Sequence, residues 1–332
     1  MKLAMIGSYG HTGIVLRSLP HLPDVQLVAV SRYGSGDKLG FYGKGPAWPE
    51  RVAVYENYQQ MIREVHPDIV SVCMPLHRNA EASIFAARHG CHIIGEKPLA
   101  TTLADLDALK AAVAQAGVKV CAMFEMRASA PYQTVRQVVQ GGRIGEPILA
   151  FGQKSYPFGD RDEFYRTRET FGGTIPWVAI HALEFTRYCF GRDYRRVAAM
   201  HSNLSLKGYP GSEDNGGILL EFDGGGHAII SFDYLRPKAS AGPKRRHGDD
   251  RLRIAGSEGI VEIVDEGTRV VLMTASAVED VPLAPARDLF GEFVASIRGD
   301  GPCIVTPEES FRITEVALKA RDAADAKKIV EL

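Results

Sequence analysis

Lys2-Leu3-Ala4-Met5-Ile6-Gly7-Ser8-Tyr9-Gly10-His11-Thr12-Gly13-Ile14-Val15-Leu16 opens on a short apolar run, breaks at a glycine-rich turn and resumes as an apolar helix start. An extended segment that meets glycine and then a helix is the first half of a β-α-β unit. Glycine suits such a turn because a dinucleotide pyrophosphate approaches the backbone closely, where a helix N-terminus offers open N–H groups. The spacing is G-x-x-G-x-x-G rather than G-x-G-x-x-G, so its place at the first strand–helix junction carries the weight. Gly7, Tyr9, Gly10, His11, Thr12 and Gly13 are the expected phosphate-side cofactor residues.

The same alternation continues outward. Apolar runs at 25–30, 69–74, 92–95 and 118–123 read as strands. Between them, 79–89 reads as a helix stopped by Gly90. A second helix runs from Thr102, with Asp105 completing a possible capping box, through Leu103, Leu106, Leu109 and Val113 to Gly117. Strands separated by helices imply right-handed crossovers and a parallel sheet. After about residue 145 the pattern changes. Segments 218–222 and 228–232 flank Asp223-Gly224-Gly225-Gly226 as a hairpin, and 252–255, 260–264 and 269–273 continue the series. Thr306-Pro307-Glu308-Glu309 starts a late helix. Residues 236–250, rich in Pro, Gly, Lys and Arg, read as a solvated loop. The expected fold class is α/β: a doubly wound Rossmann domain over 1–123, then an α+β domain with an open, mostly antiparallel sheet over 124–305. Residues 306–332 are expected to return to the first domain.

Composition narrows the function classes. The 332 residues carry 39 Lys+Arg against 40 Asp+Glu, a formal charge of −1, which leaves no polyanion-binding footprint. No nucleic-acid partner is expected. No run approaches the roughly 18 apolar residues of a membrane span, and the N-terminus lacks the pattern of a secretion signal. The five cysteines are scattered without a C-x-x-C pair, so reduced thiols and a cytoplasmic setting are expected. His89-Gly90-Cys91-His92 spans a helix stop and a strand start, so it does not converge on a metal, and none is expected.

Three further sites carry chemistry. An acidic residue ending the second strand would bind the adenosine ribose and repel a 2′-phosphate. This chain has Ser31-Arg32 there, with Lys38 nearby, so NADP is expected over NAD. Gly95-Glu96-Lys97-Pro98 follows a strand, and its ammonium would point into the crevice where open α/β sheets bind ligands. Beyond Gly172-Gly173, Pro176 marks a helix start, and Trp177, His181, Glu184 and Tyr188 fall on one α-helical face.

With these residues in order, the sequence resembles the glucose–fructose oxidoreductase/inositol dehydrogenase/MocA (Gfo/Idh/MocA) family of NAD(P)-dependent oxidoreductases over essentially its whole length. The resemblance rests on the glycine loop, Cys73-Met74-Pro75, Glu96-Lys97-Pro98, Arg127, Gly141-Gly142-Arg143-Ile144-Gly145-Glu146-Pro147, Gly172-Gly173 leading to His181, and Ile254-Ala255-Gly256-Ser257-Glu258-Gly259. It implies a Rossmann domain, an open-faced sheet domain that often pairs subunits as homodimers or homotetramers, and redox chemistry on a sugar, cyclitol or related small molecule. It also implies that Lys97 lies near nicotinamide and substrate, that Met74, Pro75, Leu76, Asn79 and Glu96 line the cofactor, and that Arg127 is cofactor-side or structural. His181 is the expected acid–base residue beside Lys97. Lys154, Tyr156, Arg166, Arg168 and His247 are candidate substrate-pocket residues.

The chain departs from the family in three places. Asn79 stands where Pro-x-x-x-His usually ends, and the glycine spacing differs. Trp177 stands where Asp-x-x-x-His supplies an aspartate. Glu184 is the carboxylate that partly replaces that aspartate, and the indole is an expected pocket wall. Two other classes stay open. One is a cofactor-binding sensor or accessory protein. The other is a semialdehyde-type reductase, which needs a thiolate, with Cys121 its most plausible nucleophile.

Overall fold

β1 (Lys2–Ile6) is apolar on both faces, and Leu3, Ala4, Met5 and Ile6 are completely buried, as expected of a strand covered on both sides. The computed structural model describes residues 1–39, 52–237 and 248–332. The chain divides into two compact units, Met1–Glu125 with Asp288–Thr314, and Met126–Arg287 with Glu315–Leu332.

In the first unit β1 leads through the glycine turn to α1 (Gly13–Ser18) and then to β2 (Gln26–Ser31), with β3 (Ala53–Tyr55) beyond. Next come α2 (Tyr58–Val65), β4 (Ile69–Val72), α3 (Asn79–Arg88), β5 (His92–Gly95), α4 (Leu103–Ala116) and β6 (Val120–Ala122). Every pairing is parallel, in the order β3-β2-β1-β4-β5-β6. Strand order reverses between β1 and β4, which opens a crevice at the strands' carboxyl ends. The turns after β1, β4 and β5 carry the glycine loop, the 73–75 segment and Glu96-Lys97-Pro98 to that edge. Local chemistry sets the helix ends: Asn57 caps α2 through the Gln59 and Gln60 amides, Thr102 caps α4 through Asp105, and Gly117 ends α4 at φ +66°.

α5 (Glu125–Ala128) lies at the boundary. The second unit then runs through α6 (Ala130–Gln140), β7 (Pro147–Ser155), α7 (Arg168–Phe171), α8 (Ile180–Phe190), β8 (Tyr194–Ser202), β9 (Asn215–Phe222) and β10 (His227–Asp233). β11 (Arg251–Gly256), β12 (Gly259–Val264), β13 (Arg269–Thr274) and β14 (Val278–Val281) follow. α9 (Leu289–Arg298) belongs to the first unit, and α10 (Pro307–Ala326) contributes 307–314 to it. Residues 306–332 are expected at the N-terminal domain as one block. The chain's last residues instead form β15 (Val330–Glu331), which pairs antiparallel with β8 in the second sheet. The nine-stranded order is β14-β13-β12-β11-β7-β10-β9-β8-β15, antiparallel throughout except between β7 and β10.

Alternation assigns the two faces of this sheet. Ile218, Leu220, Phe222, Ala228, Ile230 and Phe232 are buried on one side, and each large apolar side chain buried there contributes about 1.5–3 kcal/mol. α8 packs on that side. A Cβ at Gly152 would lie 2.7 Å from Thr186 Oγ1, so the glycine lets helix and strand approach. The opposite face exposes Phe151, Met200, Leu219 and Ile229.

Candidate active site

In the glycine turn, Gly7 (φ +73°) and Gly10 (φ +78°) occupy the left-handed region. A Cβ at Gly7 would lie 2.2 Å from the Cys73 carbonyl oxygen, so only glycine fits between β1 and the end of β4. The Gly7 amide donates to Ser31 O at 2.7 Å and the Tyr9 amide to Cys73 O at 3.0 Å, which ties the turn to both neighbouring strands. The Thr12 hydroxyl is buried with no hydrogen-bond partner. A glycine cradle with an unsatisfied buried hydroxyl fits a bound dinucleotide phosphate.

Gly10 answers to a different neighbour. A Cβ there would lie 2.0 Å from Glu96 Oε2. The Glu96 carboxylate is completely buried. It accepts the His11 amide at 2.5 Å, lies 2.9 Å from His11 Nδ1 through each oxygen, and accepts the Lys97 amide at 3.0 Å. Lys97 Nζ stands 4.0 Å from Glu96 Oε1 and its side chain is 1% exposed. Burial alone would raise the Glu96 carboxyl. The charge and hydrogen bonds of His11, with Lys97 adding to them, outweigh it and hold the group below its ordinary value.

Asn79 joins the neighbouring turn to this segment. Its Oδ1 accepts the Met74 amide at 3.1 Å, while its Nδ2 donates to Glu96 O and Pro98 O, each at 3.4 Å. Pro75 starts the short 3₁₀ turn Leu76–Arg78 between them, and Leu76 is completely buried. At the end of β2, Ser31 is buried and Arg32 Nε donates to Glu56 at 3.0 Å. Arg32 also donates to the Asp37 carbonyl. Sequence reasoning missed Asp37. Its buried carboxylate takes the Ser8 hydroxyl, the Tyr33 amide at 3.2 Å and the Leu39 amide at 2.9 Å, so it locks the loop after β2 to the glycine turn.

In the second unit, the segment before α8 is a π-helical turn, Ile175–Ala179, that carries Trp177. Pro176 does mark a helix start, but i→i+5 bonding widens the turn, so Trp177 and His181 are not stacked as two residues of one α-helical face would be. Trp177 and His181 are both 5% exposed. Glu184 is engaged in a completely buried ion pair with Arg127 Nε. The Arg127 guanidinium carbon lies 4.4 Å from the Tyr188 ring centroid, and Gln133 Nε2 donates to Tyr188 Oη at 2.9 Å and to Arg127 O at 2.5 Å. Thr174, just before the π turn, donates its amide to Glu213 Oε2 at 2.7 Å and its hydroxyl to Glu213 O at 2.8 Å. Glu213 also pairs with Arg168, and Arg168 Nη2 reaches Asp325 at 3.4 Å. Gly173 sits at φ +104°, a backbone that favours glycine, and a Cβ there would also meet Arg168 Nη1 at 2.0 Å.

The pocket candidates therefore separate. Lys154 Nζ donates to Asp250 at 2.7 Å and stands 5.7 Å from the Tyr156 ring centroid. Tyr156 shares with Phe158, Tyr165 and Tyr234 a cluster around the Arg161 guanidinium, at 5.0–5.7 Å from each ring centroid. Burial pushes the Tyr156 hydroxyl up against the opposing effect of Arg161. Arg168 belongs to the Glu213 cluster, Arg166 donates to Gly208 O at 3.0 Å, and His247 lies outside the described residues. All five thiols are buried; burial pushes Cys73 and Cys189 up and Cys91 to about 12, against thiolate chemistry. Among the described residues no helix is long and apolar enough to cross a membrane.

Comparison with known proteins agrees with this architecture. Residues 1–124 match the family described as "Oxidoreductase family, NAD-binding Rossmann fold", and 132–262 match the "GFO/IDH/MocA C-terminal domain". Myo-inositol 2-dehydrogenase of Thermotoga maritima is 23% identical over 286 residues, 84% of each chain. The 1,5-anhydro-D-fructose reductase of Ensifer adhaerens is 28% identical over 278 residues, 80% of each chain. A solved chain from Thermotoga maritima is 35% identical with a TM-score of 0.92, covering 100% of both chains. The chain thus belongs to the Gfo/Idh/MocA family, NAD(P)-dependent oxidoreductases that include sugar and inositol dehydrogenases.

Proposed function

We propose that this protein moves hydride between a nicotinamide cofactor and a hydroxyl- or carbonyl-bearing carbon of a sugar, cyclitol or related small molecule. Lys97 and His181 both act on the reacting oxygen. The observation that carries this is the buried Lys97 ammonium at the carboxyl end of β5, one residue from a carboxylate that packs on Gly10 of the glycine loop. Bound nicotinamide supplies or accepts the hydride. His181 takes the hydroxyl proton in oxidation and returns it in reduction, a role suited to an imidazole near neutral pH. Lys97 donates a hydrogen bond to the same oxygen and stabilises its developing negative charge. Trp177 offers an apolar wall to the face of a sugar ring.

Arg32 and Ser31 at the end of β2 favour NADP over NAD. The partner of Arg32, Glu56, has a side chain that is 76% exposed, and such surface pairs hold a guanidinium weakly, with a median worth of about 0–1 kcal/mol. The exposed apolar stripe of Phe151, Met200, Leu219 and Ile229 on the second sheet suits a homodimer or homotetramer contact. The test is cofactor-linked absorbance with a panel of polyols, aldoses and keto-sugars, using both cofactors. Lys97→Ala and His181→Ala should each lower turnover by about 10²–10⁴-fold while cofactor binding persists. Unchanged turnover in either variant removes that residue from the chemistry. Tight cofactor binding with no turnover across the panel would instead assign an accessory role. Better use of NAD by the wild type would reverse the cofactor preference, and Arg32→Ala should selectively weaken NADP.

A further inference from the structure

We propose that His11 is a positioning residue for Lys97, acting through the buried carboxylate of Glu96; this rests on the reading of Lys97 as catalytic. Glu96 lies between two basic side chains, and the geometry ranks them. His11 engages it at 2.5 Å through the amide and 2.9 Å through the ring, whereas Lys97 Nζ stands at 4.0 Å, outside hydrogen-bond range. The carboxylate is therefore held chiefly by the histidine, and the ammonium stands back from it. The Lys97 amide at 3.0 Å from Oε1 fixes the backbone beneath that ammonium to the same group.

A link of this kind joins the glycine loop to the reacting end of the site. His11 sits in the loop between Gly10 and Thr12, and Glu96 reaches it only because residue 10 has no side chain. The His11 side chain is 30% exposed while Glu96 and Lys97 are buried, so the loop end of the link reaches the surface and its inner end is closed to water. If His11 were lost, Glu96 would remain buried beside Lys97 as its nearest cation, and the pair would close.

The test reads the geometry directly in the cofactor-free protein, by crystal structures of wild type and His11→Gln. Loss of the imidazole should bring Lys97 Nζ and the Glu96 carboxylate from 4.0 Å to charge-assisted hydrogen-bond distance, about 2.7–2.9 Å. An unchanged separation overturns the positioning role. In turnover, His11→Gln should lower kcat by about 10- to 100-fold, the range for losing the outer partner of a functional group, with little change in cofactor KM. A rise in cofactor KM with kcat unchanged would make His11 a cofactor contact only. Retained turnover in Lys97→Ala, with the shortened Glu96–Lys97 separation still seen in His11→Gln, would instead remove the catalytic reading and leave the pairing standing.

Discussion

Arg127 and Glu184 form an ion pair in which both side chains are 1% exposed, and the two ends of that pair respond differently to removal of the partner. In Arg127→Met the carboxylate of Glu184 loses its cation, but a carboxyl group has an escape: it can bind a proton. From a reference value of about 4.3, protonation at pH 7 costs about 1.36 × 2.7, or about 3.7 kcal/mol, which sets a ceiling on the electrostatic destabilisation. At pH 5 the same arithmetic leaves about 1 kcal/mol. The sign follows from the direction of the change. An orphaned buried carboxyl titrates higher in the folded chain than in the unfolded one, so its penalty is absent in acid and grows as pH rises.

Glu184→Leu removes the carboxylate from beside a guanidinium that does not deprotonate, so its cost of about 3–5 kcal/mol should stay flat between pH 5 and 8. Arg127→Met/Glu184→Leu removes both charges and should recover most of either loss. The remaining deficit is the contact of Arg127 with the Tyr188 ring, about 0.5–2 kcal/mol. Urea unfolding followed by Trp177 fluorescence in a Trp48→Phe background measures all four chains. A cost of Arg127→Met that is the same at pH 5 and pH 7, or a double variant as unstable as the sum of the singles, would refute the pair as the main interaction of either group.

Two other substitutions address the loops that hold the candidate residues. Gly173→Ala places a Cβ 2.0 Å from Arg168 Nη1 at φ +104°, so it should destabilise by about 1–3 kcal/mol and lower turnover with cofactor binding intact; equilibrium unfolding and kcat measure the two effects. Asp214 accepts Ser205 Oγ at 2.6 Å, the Ser205 amide at 2.6 Å and the Leu204 amide at 3.0 Å. Burial alone would raise this carboxyl, but these bonds and that of Asn215 hold it below its ordinary value. A depressed carboxyl stabilises above its unfolded value and loses that contribution as pH falls through the folded one. Asp214→Asn should therefore be about 1–3 kcal/mol less stable at neutral pH and converge on wild type in strong acid, as read by thermal unfolding across that range.

What was legible in the sequence depended on local signals. The run Lys2–Ile6 with its glycine turn, the Thr102 cap and the Asp223–Gly226 turn between β9 and β10 each state their structure within a few residues. β3 is marked only by the short run Val52-Ala53-Val54-Tyr55, and Ala53 and Val54 are exposed, so it lacks the buried two-faced pattern of the other strands. Pro176 announced a helix start without the widened turn, since nothing in its neighbours distinguishes i→i+4 from i→i+5 bonding. The pairings that organise the site were silent for a plainer reason. His11 and Glu96 are 85 residues apart, Arg127 and Glu184 are 57 apart, and Thr174 and Glu213 are 39 apart. A pairing across such separations leaves no periodicity or spacing to read.

Two departures from the family pattern acquire physical reasons once those pairings are seen. Glycine at position 10 makes room for Glu96, and Asn79 uses both ends of its amide to hold the Pro75 turn against the Glu96–Pro98 segment. A third observation follows the same logic: Glu184, the carboxylate nearest in sequence to His181, is committed to Arg127. Glu96, Glu184 and Glu213 thus each face a basic side chain, and each pair fixes a short segment that carries a candidate residue: Lys97, His181 and the π turn before it. Closed pairs contribute little net field at a distance, so their influence on chemistry runs through geometry. Substitutions in any of them should therefore fall first on turnover and stability, and only second on cofactor affinity, which is the opposite order from the glycine loop itself.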